Sequence, residues 1–292
     1  MHVFVSGATG WVGSAVVNDL IAAGHQVTGL ARSADKSAPL AAAGARVVHG
    51  TLDDLDLLRS AASEADAVVH TAFNHDFARF AENAEQDRRA IETLGGALEG
   101  SDRPLLVTSG LASLAPGRVA TEADIPVSDP SWPRKSEEAA QALTARGVRA
   151  ATVRLAPSVH GVGDKGFVPI LVGIARETGV SAFIGEGLNR WPGVHRSDAA
   201  RLYRLAIERG GAEPVFHAVA DEGVPFRAIA GVIGRQLGLP VEPRGPEHFG
   251  WFARFASADM SASSARTRAL LDWTPAGPDL LTDLDQPAYF AG

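Results

Sequence analysis

The chain has 292 residues, 46% of them hydrophobic and 21% charged, and carries a net charge of −7. Such an acidic balance argues against a nucleic-acid partner, which needs a basic footprint to neutralise phosphates. The absence of cysteine removes disulfides, thiol catalysis and thiolate metal sites, and suits a reducing cytoplasm. No apolar run approaches the ~20 residues that span a bilayer. The start, MHVFVSGATG, has neither the basic region nor the long apolar stretch of a signal peptide. The expectation is a cytoplasmic protein with a small-molecule substrate, no membrane or nucleic-acid partner, working as a monomer or homodimer.

In chain order, short apolar runs at His2–Val5, Gln26–Ala31, Ala45–His49, Ala67–Thr71, Pro104–Thr108 and Ala150–Leu155 read as strands. Helical spacing marks Val12–Ala23, Asp54–Ala62, Phe77–Glu99 and Ser136–Arg146. This alternation predicts a parallel sheet covered on both faces, the doubly wound α/β fold of the Rossmann type. Beyond a glycine-rich loop at Gly161–Gly166 the pattern loosens. Helices are expected at Phe167–Thr178, Asp198–Glu208, Pro225–Leu237 and Ser264–Leu271, and strands at Ser181–Ile184 and Val215–Ala218. The division predicted is a dinucleotide-binding domain over 1–160, with 194–220 returning to it, and a smaller substrate lobe from 161–193 and 221–292.

Gly7-Ala8-Thr9-Gly10-Trp11-Val12-Gly13 joins the first strand to the first helix. A tight turn needs glycine where φ is positive, and close packing of helix on strand needs another. The helix start then offers free N–H groups and a positive dipole end to a diphosphate. Gly7, Thr9, Gly10, Trp11, Val12 and Gly13 are therefore the expected cofactor-binding loop. An NAD site usually ends its second strand in an acid that grips the ribose 2′-OH. Here that strand ends in Ala31-Arg32-Ser33, which suits a 2′-phosphate, with Lys36 close by. The expected cofactor is NADP(H), and a solvated loop cation is the plain alternative for Arg32.

The G-x-x-G-x-x-G spacing resembles the extended and atypical branches of the short-chain dehydrogenase/reductase superfamily, the epimerase/dehydratase-like proteins. The resemblance continues through Val68–Phe73 (VVHTAF), Leu105–Gly110 (LLVTSG), Val153–Gly161 (VRLAPSVHG), Val194–Asp198 (VHRSD) and Ser263–Pro275 (SSARTRALLDWTP). It implies the Rossmann fold and an oxidoreductase activity. It also implies that Ala72 lies over the cofactor, and that Thr51 and Leu52, standing where the family has a G-D-L step, meet the adenine.

The family's usual catalyst is a Ser/Thr with a Tyr and Lys spaced Y-x-x-x-K. The tyrosines here, Tyr203 and Tyr289, both lie far downstream of the segment between the fifth and sixth strands. That segment, Ser128 to Glu138, has none. Arg134 or Lys135 falls near the family Lys and could bond the nicotinamide ribose. Thr108 and Ser109 fall near the family Ser/Thr, with Gly110 a competitor for the position. The candidate replacements for the proton donor are His160, where the family often has Tyr, and His75 with Asp76 after the fourth strand. The plain alternatives are a backbone-bonded His160 and a helix-capping Asp76. Asp164-Lys165 could belong to a lid, and Trp191 and His195 could line a pocket, although a core tryptophan is the common case.

No H-E-x-x-H or clustered His–carboxylate spacing indicates a metal, and there is no G-x-S-x-G elbow. The leading reading is an NADPH-dependent reductase of a carbonyl or imine in a small, fairly apolar molecule, with a proton donor other than Tyr. The candidate catalytic residues are Ser109, His160, Lys135 and His75. A nucleotide-sugar epimerase or dehydratase, and a dinucleotide-binding sensor without turnover, are the alternatives.

Overall fold

The computed structural model describes residues 1–112, 114–126, 133–210 and 213–290. The N-terminal half alternates β1 (His2–Ser6), α1 (Trp11–Ala22), β2 (Gln26–Ala31), α2 (Ala34–Ala42), β3 (Arg46–His49), α3 (Leu55–Ser63), β4 (Ala67–His70), α4 (Phe80–Gly96), β5 (Leu105–Gly110), α5 (Ser136–Ala145) and β6 (Ala150–Leu155). After β7 (Ser158–His160), α6 (Phe167–Thr178), β8 (Ser181–Phe183), β9 (Arg190–His195) and α7 (Arg196–Arg209), the chain returns as β10 (Val215–Ala218). It continues through β11 (Asp221–Pro225), α8 (Phe226–Leu237), β12 (Val241–Pro243), α9 (Ala253–Ser257), α10 (Ala265–Leu271) and α11 (Leu280–Leu284).

The central sheet has seven parallel strands in the order β10-β6-β5-β4-β1-β2-β3. Apart from the partly exposed edge strand β3, its strands are largely buried on both faces, which explains their near-continuous apolar runs. One face packs Val3, Val5, Val69 and Leu106 against Val16, Leu20 and the α7 residues Leu202, Leu205 and Ala206. The other packs Phe4, Val68, Leu105 and Val107 against Leu58, Ile91, Leu94 and Leu143 of α3, α4 and α5. A third core joins α6, α8 and the α9 region around Trp191, Phe226 and Phe252. Trp191 is fully buried there, so it is a core residue.

Strand order reverses between β4 and β1. In such sheets ligands bind outside the carboxyl ends at that crevice. The loops after β1, β4 and β5 therefore converge on one edge. A separate three-stranded sheet, β11-β9-β7, follows from β6. Helix α2, which carries Pro39, has no apolar period to announce it, since it is alanine-rich with only Ser37 and Leu40 buried. No described helix is long and apolar enough to cross a membrane.

Candidate active site

The turn from β1 to α1 is shaped by what its glycines lack. Gly7 has φ +70°, and a Cβ there would stand 2.6 Å from the Ala72 nitrogen. A Cβ on Gly13 would stand 2.1 Å from the Gly7 carbonyl oxygen and 2.6 Å from Thr71 Oγ1. Both distances are impossible for a side chain, so the cradle exists only with glycine. Gly10 is less constrained, its Cβ falling 3.1 Å from the Gly7 oxygen. The Gly10 amide donates to the Gly7 carbonyl at 2.8 Å, which closes the turn. Beyond it the first amides of α1 have no partner within the helix and point out of its N-terminus.

Trp11 leaves this turn sideways. Its Nε1 donates to the Val159 carbonyl at 2.7 Å, and the Arg196 guanidinium lies 4.1 Å from its ring centroid. Arg196 also donates to the Trp11 carbonyl and to Ser14 Oγ, both at 2.6 Å. The loop is thereby tied to β7 and α7. Thr9 and Val12 are half-buried beside it.

At the carboxyl end of β2, Arg32, Ser33 and Lys36 are exposed, and Ser33 precedes the first turn of α2. Ala72 backs the glycine turn, as its contact with position 7 shows. Thr51 is occupied locally: its amide and hydroxyl both donate to Asp54 Oδ2, at 2.6 and 2.9 Å. Leu52 packs onto the apolar cluster between the sheet and α3.

Around the ends of β4 and β5 the structure gathers Phe73, His75, Thr108 and Arg134. The Arg134 guanidinium lies 4.1 Å from the Phe73 ring centroid, and its Nη2 donates to the Thr108 carbonyl at 3.0 Å. The His75 ring meets Phe73 edge-on, with centroids 5.1 Å apart. Desolvation, and then the Arg134 charge, hold the His75 imidazole below its ordinary pKa, against raising contributions from the Phe73 backbone and Asp87. Burial pulls Arg134 down as well, with Asp87 and Tyr203 opposing. Half-buried Ser109 follows Thr108 on β5, and Gly110 is exposed. Thr108 Oγ1 donates to the His70 carbonyl and shares a 2.7 Å bond with Tyr203 Oη.

The other candidates sit elsewhere. Lys135 is exposed at the start of α5, within electrostatic reach of Glu85 on α4. Asp76 caps the turn before α4, accepting from the Ala78 amide at 3.1 Å. His160 is fully buried; its Nδ1 pairs with Asp283 Oδ2 at 2.8 Å, and its ring meets that of His195 at 5.6 Å. It belongs to a group on β7, β9 and α11 distinct from the Arg134 group. Asp164 of the glycine-rich loop accepts from Tyr289 Oη at 2.5 Å. The proline-rich approach to α5 at 127–132 lies outside the described residues. Among those described, no three His, Asp or Glu side chains could hold a metal ion. Phe73, two positions before His75, joins this group through its ring contacts alone, with no spacing motif in the sequence to mark it.

Residues 7–160 match the NAD(P)H-binding family. The chain belongs to that family. The glycine cradle is the observation that fits its cofactor, because only glycine at 7 and 13 lets the turn pack closely enough to present the first amides of α1 outward. This NAD(P)H-binding protein is 46% identical to an uncharacterised protein of Schizosaccharomyces pombe, over 99% of this chain and 100% of the other. It is 28% identical to a 3-diazoavenalumate denitrifying reductase of a Streptomyces species, over 95% of this chain and 97% of the other. Its fold matches the UDP-glucose 4-epimerase of Thermotoga maritima with a TM-score of 0.76 at 19% identity, covering 99% and 98% of the two chains. Its NAD(P)H-binding domain thus sits on the Rossmann fold that the epimerases and dehydratases also have.

Proposed function

We propose that this protein is an NADPH-dependent reductase that reduces a carbonyl or imine in a small, fairly apolar molecule, with Arg134 as its electrophile. The observation that carries the reading is the Arg134–Phe73–His75 group at the carboxyl ends of β4 and β5, beside the glycine cradle. The first amides of α1 and the cradle at Gly7, Gly10 and Gly13 would hold the diphosphate, and Arg32 with Ser33 the 2′-phosphate. When bound, the dinucleotide supplies a hydride. Arg134 then donates an N–H to the substrate oxygen or nitrogen on which negative charge develops, in a site where burial strengthens that bond. His75, in its imidazolium form, gives its proton to that same oxygen or nitrogen, and solvent reprotonates the imidazole. Ser109 offers a second hydroxyl on the same strand end. His160, fully buried and paired with Asp283 in the separate β7, β9 and α11 group, takes no part in this step.

An epimerase or dehydratase would need a basic tyrosine. Burial pushes the Tyr203 hydroxyl well above its ordinary pKa, and burial together with Asp164 does the same to Tyr289. Both are therefore poor bases. The test is titration with NADPH and with NADH, followed by NADPH consumption across a panel of aldehydes, ketones and cyclic imines. Tight NADPH binding with turnover on that panel supports the reading. Tight binding with no consumption of any compound replaces it with a sensor.

A further inference from the structure

Beneath the site runs a chain of buried polar side chains that neither cofactor binding nor the proposed reaction uses. Ser6 Oγ lies 2.7 Å from His70 Nδ1, and His70 Nε2 lies 2.9 Å from Asp87 Oδ1. Ser136 Oγ donates to Asp87 Oδ2 at 2.5 Å, and Arg134 Nε donates to Ser136 Oγ at 2.9 Å. Ser6, His70, Asp87 and Ser136 are each at most 1% exposed. The order Ser–His–Asp invites comparison with an acyl-transfer relay. That reading fails on access, because Ser6 is 0% exposed and its hydroxyl can meet no substrate.

We infer that Asp87 and Ser136 are positioning residues that aim the Arg134 guanidinium, and that His70 and Ser6 tie the same carboxylate to the strand entering the glycine cradle. The polarity of the chain supports this. An ionised carboxylate only accepts hydrogen bonds. Asp87 therefore fixes the Ser136 proton on itself and leaves the Ser136 lone pairs for Arg134 Nε. With Nε held by Ser136, Nη2 by the Thr108 carbonyl and one face by Phe73, the remaining N–H groups have a set direction. Removing the Ser136 hydroxyl frees the pivot without adding bulk. An asparagine at 87 offers one acceptor and one donor, so it cannot serve both Ser136 and His70 in their present polarity.

The inference rests on Arg134 acting at the site, so the test separates the two claims. In the full-length protein, S136A and D87N are compared with wild type for the rate at which phenylglyoxal labels Arg134, read by mass spectrometry, with folding checked by circular dichroism. NADPH consumption is measured with 9,10-phenanthrenequinone as the carbonyl probe. The expected result is several-fold faster labelling of Arg134 in S136A, with consumption slowed by about tenfold, the lower end of the loss for a hydrogen bond to a charged group. R134A should slow consumption further, and R134A/S136A should match R134A, since Ser136 acts through Arg134. Unchanged labelling in S136A, or losses in the double variant that multiply, overturns the positioning claim even if R134A is impaired. Faster labelling in S136A with R134A at wild-type rate overturns the site reading instead and leaves the mechanical coupling standing. If D87N does not fold, S136A decides the matter alone.

Discussion

The Arg134 guanidinium stands 4.1 Å from the centroid of the Phe73 ring, at the mouth of the crevice where strand order reverses. The contact joins the loop after β4 to the start of α5, two segments brought together only by the fold. A planar cation on an aromatic face is held in orientation while keeping its edge donors. Replacement of Arg134 by Ala is expected to lower kcat by about 10²- to 10³-fold, the usual cost of removing a donor aimed at developing negative charge. R134K should recover little, because an ammonium has neither the fork nor the plane. Single-turnover rates with saturating NADPH would check this, and a lysine variant near wild type would remove the guanidinium from the mechanism.

Arg32 and Ser33 govern the choice of dinucleotide in this reading. R32A is expected to weaken NADPH binding by about 1.5–3 kcal/mol, the worth of a hydrogen bond to a charged group, while leaving NADH binding nearly unchanged. Calorimetric titration of both cofactors provides the comparison. Equal losses for the two would assign Arg32 to the solvated surface.

Gly10 and Gly13 should separate binding from folding. A methyl at 13 collides with the Gly7 carbonyl at 2.1 Å, whereas one at 10 stands 3.1 Å from the same oxygen on an exposed residue. G13A is therefore expected to destabilise the fold by about 1–3 kcal/mol, as overpacking does. G10A should stay within about 0.5 kcal/mol of wild-type stability yet bind NADPH more weakly, because position 10 is the N-cap of the helix start proposed to hold the diphosphate. Urea midpoints and cofactor titrations on the two variants test both statements together.

The pH profile should report His75. Its pKa is lowered from 6.5, chiefly by desolvation and then by Arg134. An acid must be protonated to act, so kcat/KM is expected to be full below that lowered value and to fall as pH rises through it. The limb should therefore lie below pH 6.5 and vanish in H75Q. A falling limb above pH 7, or one that persists in H75Q, would pass the proton to water or another group.

Much of the fold was legible in the chain. Gln26–Ala31 and Ala150–Leu155 were readable to the residue because central parallel strands are apolar on both faces and end abruptly at turn residues. Helix α2 was not, since alanines around a proline carry no period. In the site, the glycine cradle was readable from spacing, because Gly13 meets Gly7 across a single turn. The Arg134 group was only half readable. Counting along α5 pointed to Arg134 and Lys135 alike, and the side-chain partners that part them, Thr108 and Phe73 for one and Glu85 for the other, come from distant segments. The Asp87–Ser136 bond spans 49 positions and leaves no local mark.

Glu137, next to Ser136 on α5, supplies the control that separates stability from site geometry. It is 6% exposed and faces Arg154, which is 1% exposed. Arg154 Nε donates to Glu137 Oε2 at 3.0 Å and Nη2 to Oε1 at 2.5 Å, while the same guanidinium bonds the Asp124 carbonyl at 2.7 Å and approaches His217 at 3.1 Å. Removing one partner of such a pair leaves a buried charge without its counter-ion, at about 3–5 kcal/mol. E137A is therefore expected to lower Tm substantially. At temperatures where it remains folded it should keep the NADPH affinity and Arg134 labelling rate of wild type, because among the described residues none of its side-chain bonds leads to Arg134 or the glycine cradle. S136A, one residue earlier, should do the reverse. Thermal melts and phenylglyoxal labelling on the two variants check the contrast, and a faster-labelled Arg134 in folded E137A would show that α5 responds as a whole rather than through the Ser136 hydroxyl.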